Sequence, residues 1–439
     1  MFRYKSMEEL QEKLAELGVS LPAADTADVL REPVSAAGLE LQNRMVIQPM
    51  EGCDGNPDGT PGEQTLLRYD RFASSGAALI WYEATAVRED GRGNPGQLSI
   101  REDNWEAFAR HADRIRETAA KKFGRAPALV MQLTHSGRYS KPQGKPAPVI
   151  AYNNPIFEKD KPIDPSRIIT DDDLKALEEK FAEAAKLACR AGFDGVDVKC
   201  CHRYLANELC SAYNRPGEYG GSLENRTRFI RNAYRAARGA TPSGFVVASR
   251  MNLYDGFPYP YGFGVAKDGS TVPELSESLW LAGALREAGL KLLNVTIGNP
   301  YVNPHVNRPA DMQPYPLEED PLMGVARMFD CTAQLKKAYP DLTVVGSGST
   351  YLRQFQPLVC AGAIRDGIFD LAGFGRQAFA YPDMIRCLRE GEDFDPKLCC
   401  VTCGKCSQLM RMGSITGCVV RNRFYTDLYR QKLAEANQK

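Results

Sequence analysis

The 439 residues carry 55 Lys+Arg against 55 Asp+Glu, and 43% of them are hydrophobic and 25% charged. These are globular proportions that exclude wholesale disorder. A net charge of zero leaves no basic excess for nucleic acid or an anionic membrane, and no apolar stretch approaches the roughly 18–20 residues of a spanning helix.

Residues 1–40 read as a charged helix and a loop. The opening MFRYKSMEELQEKL has no apolar signal core, so a soluble cytoplasmic protein is the expectation. A series of short β-rich runs follows: NRMVIQP (43–49), AALIWYE (77–83), ALVMQL (128–133), GVDVK (195–199), FVVASR (245–250), KLLNVTI (291–297), LTVVGS (342–347) and IFDLAGF (368–374). Polar stretches with apolar residues at three- and four-residue steps lie between them. One is DDDLKALEEKFAEAAKLACRAG (171–192), whose Asp171 to Asp173 suit a helix start and whose Gly192 stops it. LSESLWLAGALREAGL (275–290) repeats the plan. Eight runs alternating with helices predict an α/β fold, a (β/α)8 TIM barrel, with a doubly wound open sheet as the alternative. The expected division is an N-terminal extension (1–40), a barrel (41–390) and a C-terminal segment (391–439). Residues 138–168, rich in Pro, Asn and Lys, form a long loop after the third strand. The stretch 252–264, with five aromatics among glycines and prolines, reads either as a pocket lining or as a packing loop.

Five of the thirteen cysteines (Cys399, Cys400, Cys403, Cys406 and Cys418) fall within 20 residues of the tail. Without a secretory signal, that clustering reads as a metal or cluster site in a reducing compartment. Reactive groups of a barrel belong at the C-terminal ends of its strands. Those ends here hold Pro49, Met50 and Glu51; Glu83 and Ala84; Gln132 to His135; Lys199 to Tyr204; Arg250; Gly346 to Gly348; and Gly375 and Arg376. Gly346 and Gly348 permit close backbone approach, and Gly375 with Arg376 offers amides and a cation. Both pairs follow the last two strands, the usual phosphate position of a barrel.

QPM (48–50), YEATAV (82–87), QLTHSGR (132–138), AGFDGVDV (191–198) and EYGGSLENRTRF (218–229), in this order, resemble the Old Yellow Enzyme family of FMN-dependent NADH:flavin oxidoreductases over roughly residues 30–390. The tail narrows the resemblance to the branch of 2,4-dienoyl-CoA reductase, 2-enoate reductase and trimethylamine dehydrogenase, whose members carry a 4Fe–4S cluster after the barrel. Cys400, Cys403, Cys406 and Cys418 are spaced C-x2-C-x2-C-x11-C, which fits cluster ligation, with Cys399 as a substitute for Cys400. Structural zinc, the alternative, more often uses two separated C-x2-C pairs.

The resemblance implies that Gln132 bonds the pyrimidine edge of FMN, that Arg250 is the cation near N1 and O2, and that Gly348, Gly375 and Arg376, with Gly346, form the phosphate site. Pro49, Met50 and Ala84 become backbone or packing contacts. The substrate side departs from the family. Where it places His, followed three residues later by His or Asn, this chain has Lys199 and His202; Lys199 favours developing enolate charge or a substrate carboxylate, or contacts flavin O2. Tyr204 falls where the family has its proton-donating phenol. Glu51 replaces a small Thr or Cys, and a carboxylate there disfavours a reduced anionic flavin unless it is protonated or turned away. Plainer readings stand beside these: Arg250 in a strand-end ion pair, a structural His202, a packed Tyr204.

The implied function is reduction of an activated C=C bond in an enoate, enoyl thioester or enone. The alternatives are amine or ether oxidation like that of trimethylamine dehydrogenase, and a non-catalytic electron-transfer subunit. The larger relatives continue into FAD and nucleotide-binding domains, whereas here no GxGxxG follows a strand near the end. The expected donor is therefore either NAD(P)H acting directly or a separate flavoprotein or ferredoxin. Barrel enzymes commonly form homo-oligomers, though nothing in the sequence specifies how.

Overall fold

A computed structural model describes residues 2–312 and 318–438. The first strands form a small antiparallel hairpin, β1 (Val34–Ala36) and β2 (Leu39–Leu41), paired Val34 to Leu41 and Ala36 to Leu39. The eight apolar runs each supply one strand: β3 (Met45–Ile47), β4 (Leu79–Ala86), β5 (Ala128–Thr134), β6 (Gly195–Val198), β7 (Val246–Asn252), β8 (Leu292–Thr296), β9 (Thr343–Gly346) and β10 (Leu371–Phe374). They close into a parallel barrel in which β10 pairs with β3. The fold is the (β/α)8 barrel.

Strand residues alternate between two cores, as a period of two requires. Val46, Leu79, Trp81, Val130, Val246, Ala248, Leu292, Val345 and Leu371 fill the barrel interior, and the hairpin residues Ala36 and Leu41 belong to that same cluster. The hairpin thus plugs the end from which the strands start. The alternate residues Met45, Ile47, Ile80, Tyr82, Leu129, Met131, Val247, Val295 and Phe374 face the surrounding helices in the main core. That hairpin was not expected in residues 1–40. Its strands are three residues long, and its turn places Ala37 at φ 54°, a conformation for which Ala carries no sequence signal.

The helix Met7–Glu16 packs Leu10 and Leu14 into the main core. Asp171–Arg190 begins at Thr170, whose hydroxyl accepts the Asp173 amide at 3.1 Å, and buries Leu174, Leu177, Phe181, Ala184 and Ala188. The repeat of that plan is the helix Ser276–Glu287. Among the described residues no helix is long and apolar enough to cross a membrane. The tail forms the helices Lys405–Arg411 and Arg423–Asn437.

Candidate active site

A pocket of about 200 Å³ opens where the C-terminal ends of the strands converge. Its wall contains Pro49, Met50 and Glu51 after β3, Ala84 from β4, Gln132 from β5, Lys199, His202 and Tyr204 after β6, Arg250 from β7, Gly348 after β9, and Gly375 and Arg376 after β10. Gly348 lies at φ 83°, where a side chain is strained. Gly346 is not in the wall. A Cβ there would strike the Phe369 ring at 2.3 Å, and its carbonyl accepts a hydrogen bond from Gln48 Nε2 at 3.3 Å, so its small size serves packing behind the pocket. The aromatic stretch 252–264 contributes nothing to the wall; Tyr254, Phe257 and Phe263 are buried elsewhere.

Asp197, inside the barrel, organises one side. Its carboxylate accepts from Trp81 Nε1 at 2.9 Å, Gln132 Nε2 at 2.6 Å and the Arg250 amide at 2.6 Å. Burial pushes its pKa up, and the three donors work against that rise. Because the Gln132 amide nitrogen is committed to Asp197, its carbonyl oxygen is the end presented to the pocket. The Arg250 guanidinium makes no hydrogen bond or ion pair among the described residues, and its Nε is buried without a partner. The Asp197 carboxylate attracts it from a distance without pairing with it, and a buried guanidinium left unpaired in a pocket wall is suited to an anionic occupant.

The segment after β6 is bent sharply. His202 and Arg203 both adopt positive φ, 63° and 59°, and two such residues in succession persist only when their surroundings over-determine them. They do so here. The Arg203 guanidinium is held by Ser211 Oγ at 2.6 Å, Tyr261 O at 2.9 Å and Asp255 at 3.2 Å, while its amide donates to Asn207 Oδ1 at 2.7 Å. The turn aims Lys199, His202 and Tyr204 into one space. The Lys199 ammonium lies 3.5 Å from the Tyr204 ring centroid, and the Tyr204 hydroxyl is 3.0 Å from that of Tyr301.

Burial sets the protonation states. It pushes Lys199 down and Tyr204 well up, and with Arg250, Lys199 and Arg308 nearby it holds His202 well below the usual imidazole value, so that ring is neutral at pH 7. His202 Nε2 is buried without a partner. Burial also raises Glu51, against the attraction of Lys199, and its carboxyl accepts from Asn94 Nδ2 at 2.8 Å.

Some wall residues had no sequence signal. Thr296, Tyr301, Asn307, Arg308 and Thr350 line the pocket, as do Ser407, Met410 and Thr416 from the tail, alongside Gln48, Ser347 and Cys406, which the sequence had marked. Applying the strand-end rule to β8 points to Thr296 and the loop after it; nothing local marks the tail residues.

Cys400, Cys403, Cys406 and Cys418 line a second, small apolar cavity of about 20 Å³, whereas Cys399 is buried outside its wall. Among the described residues, no group of three or more His, Cys, Asp or Glu is placed to hold a metal ion. All four thiols of the C-x2-C-x2-C-x11-C set face this one cavity. Arg376, Phe379 and Cys406 line both cavities.

Residues 30–270 match the NADH:flavin oxidoreductase / NADH oxidase family. An NADPH dehydrogenase of Geobacillus thermodenitrificans is 30% identical over 274 residues, 62% of this chain and 73% of that protein. In fold, the chain resembles 2-naphthoyl-CoA reductase (TM-score 0.74, 20% identity), with 92% of this chain matching 58% of that one. It also resembles histamine dehydrogenase from Rhizobium sp. 4-9 (TM-score 0.67, 22% identity, 90% of this chain and 52% of that one). The chain therefore spans little more than half the length of these two structures. By the match over more than half its length and by the barrel that carries the pocket, the chain belongs to the NADH:flavin oxidoreductase / NADH oxidase family.

Proposed function

We propose that the pocket binds FMN and reduces an activated carbon–carbon double bond conjugated to a carbonyl group. The observation that carries this reading is the juxtaposition of a protonated phenol, Tyr204, with a buried ammonium, Lys199, 3.5 Å over its ring, beside a neutral imidazole, His202. FMN, when bound, supplies a hydride. The unpaired guanidinium of Arg250 and the carbonyl oxygen of Gln132 suit the polar edge of the ring, and Gly348, Gly375 and Arg376 the phosphate; Pro49, Met50 and Ala84 pack the sides.

The remaining chemistry falls to the chain's own groups. Lys199 and His202 draw charge onto the substrate carbonyl oxygen, which makes the β-carbon electrophilic. Tyr204, kept protonated by burial, gives a proton to the α-carbon. Glu51, raised by burial and bonded to Asn94, carries less negative charge than an exposed carboxylate, which eases the conflict with a reduced ring. The thiols of Cys400, Cys403, Cys406 and Cys418 suit a 4Fe–4S cluster, supplied with electrons by NAD(P)H through the flavin or by a partner flavoprotein or ferredoxin. A non-catalytic subunit has no use for a strained turn that converges three reactive side chains.

The test is an anaerobic experiment on the purified, FMN-loaded chain. Dithionite-reduced protein is mixed with 2-cyclohexen-1-one, trans-cinnamate and crotonyl-CoA, and flavin reoxidation and saturated product are followed together. Reoxidation matched by product, with the yield lost in Tyr204→Phe, is expected. Oxidation of an amine by the oxidised protein, with all three alkenes inert, would replace this reading with the oxidative one.

A further inference from the structure

We infer that Tyr301 returns to Tyr204 the proton that Tyr204 gives to substrate, so that the two phenols form a relay from solvent to the α-carbon. The inference rests on the alkene-reducing reading above. It begins from a difficulty: Tyr204 is only 5% exposed, and after protonating a substrate it is a buried phenolate that water does not reach directly. Among the described residues its oxygen has one hydrogen-bonding neighbour, the Tyr301 hydroxyl at 3.0 Å. Lys199 lies over the ring face, where it steadies the charge without being aimed along the oxygen's lone pairs.

Tyr301 is placed for such a role. It is half-buried, and its neighbour Val302 is 46% exposed, so the loop after β8 reaches solvent. The loop is also pinned. The Tyr301 amide donates to Asn299 Oδ1 at 2.7 Å, the Asn299 amide to Asn303 Oδ1 at 2.7 Å, and Asn303 Nδ2 to the Asp255 carbonyl at 2.9 Å. Tyr139 supports the ring at a centroid distance of 4.2 Å and is itself held by Asn299 Nδ2 at 2.8 Å. Burial raises both phenols, and Glu51 and Cys53 add to the rise, so both hydroxyls are protonated at neutral pH. Once Tyr204 has given its proton away, the Tyr301 hydroxyl 3.0 Å from its oxygen is the donor in reach.

The step balances. The β-carbon receives a hydride, with its electron pair, from reduced flavin; the α-carbon receives the Tyr204 proton as that O–H bond breaks. Tyr204 then takes the Tyr301 proton, and Tyr301 takes one from water, leaving hydroxide. Tyr301 acts on the substrate only through Tyr204 and is in that sense a positioning residue.

The test compares wild type, Tyr301→Phe and Tyr301→His as FMN-loaded, dithionite-reduced proteins. Stopped-flow reoxidation is measured with 2-cyclohexen-1-one and with menadione, a quinone that needs no proton at carbon, in water and in deuterium oxide. The expected result for Tyr301→Phe is an alkene rate lower by about tenfold relative to the quinone rate, a larger solvent isotope effect on the alkene step, and partial recovery in Tyr301→His. An unchanged ratio of alkene to quinone rates, or an equal loss with both oxidants, overturns the relay. If wild type is reoxidised by menadione but by no alkene, the functional reading itself fails and the relay falls with it.

Discussion

The sharpest consequence of the site is that its most useful cation costs stability. Lys199 is 5% exposed, and its ammonium makes no hydrogen bond or ion pair among the described residues. Burial lowers its pKa, and although Cys201 and Glu51 pull it back up, burial prevails. Replacing Lys199 by Met keeps the length of the side chain and removes the charge. An unsatisfied buried polar group costs about 1–3 kcal/mol, and the cation–π contact with Tyr204 returns roughly 0.5–2 kcal/mol of it. The expected balance is a gain of about 1 kcal/mol for Lys199→Met in the flavin-free protein, with alkene reduction falling on the order of 100-fold.

The pH dependence carries the sign. A lysine whose folded pKa lies below its unfolded value of about 10.4 imposes its full penalty while charged in both states, and the penalty fades as pH rises from the folded towards the unfolded value. The advantage of Met over Lys is therefore largest near neutrality and smaller at pH 9.5. Urea unfolding of the flavin-free proteins at pH 7.5 and 9.5 measures both quantities. A variant that unfolds at lower urea than wild type at pH 7.5 would mean that attraction to Glu51 outweighs desolvation, and the reasoning would be wrong.

Arg68 holds two buried carboxylates, Asp54 at 2.6 Å and Glu83 at 2.9 Å, and donates to the Met50 carbonyl at 3.3 Å, so Arg68→Met is expected to cost roughly 3–5 kcal/mol in urea unfolding and to weaken FMN retention. Burial lifts Glu83 to about 7, with Arg68 opposing. A raised carboxyl favours the folded state at low pH and loses that contribution as pH rises, so the deficit should be larger at pH 8 than at pH 5.5; equal deficits would refute the assignment. Cys400→Ser is expected to abolish iron content and the brown absorbance, while Cys399→Ser, outside the thiol-lined cavity, retains both; iron analysis of the two proteins decides. Arg250→Gln removes the unpaired guanidinium and should lower the flavin midpoint potential by about 30–60 mV, the equivalent of the roughly 1.5–3 kcal/mol of a charged hydrogen bond for a two-electron couple. Spectroelectrochemistry that returns the wild-type potential would remove Arg250 from the cofactor side.

The strands were legible because parallel barrel strands are covered on both faces and read as unbroken apolar runs. Val246–Asn252 and Leu292–Thr296 are buried at every position, and each matches its run to within a residue or two at either end. The ends of seven strands drew attention because each carries a charged, aromatic or glycine-rich signature. The end of β8 carries only Thr296, and the loop beyond it looks like any Asn- and Pro-containing connection. Nothing local reveals that Asn299 and Asn303 brace Tyr301 against Tyr139, since that arrangement depends on a residue 160 positions away.

The tail shows the same limit from the other side. Its cysteine spacing was plain, but spacing says nothing of where the segment docks. It folds back over the mouth of the barrel: the Arg308 guanidinium donates to Ser407 Oγ at 2.6 Å, and the Thr416 amide to the Gly52 carbonyl at 2.8 Å. Gly52 adjoins Glu51, and Arg308 reaches into the electrostatic surroundings of His202. Two sites that the sequence presents as a barrel and an appendix thus share a wall at Arg376, Phe379 and Cys406. Neither cavity is complete without the other's residues. A substitution in the thiol-lined loop therefore acts on the substrate pocket through contact as well as through any electron it carries, and activity alone does not separate the two effects. Iron content, flavin potential and alkene rate have to be read on the same variant before a loss of turnover is assigned to either cavity.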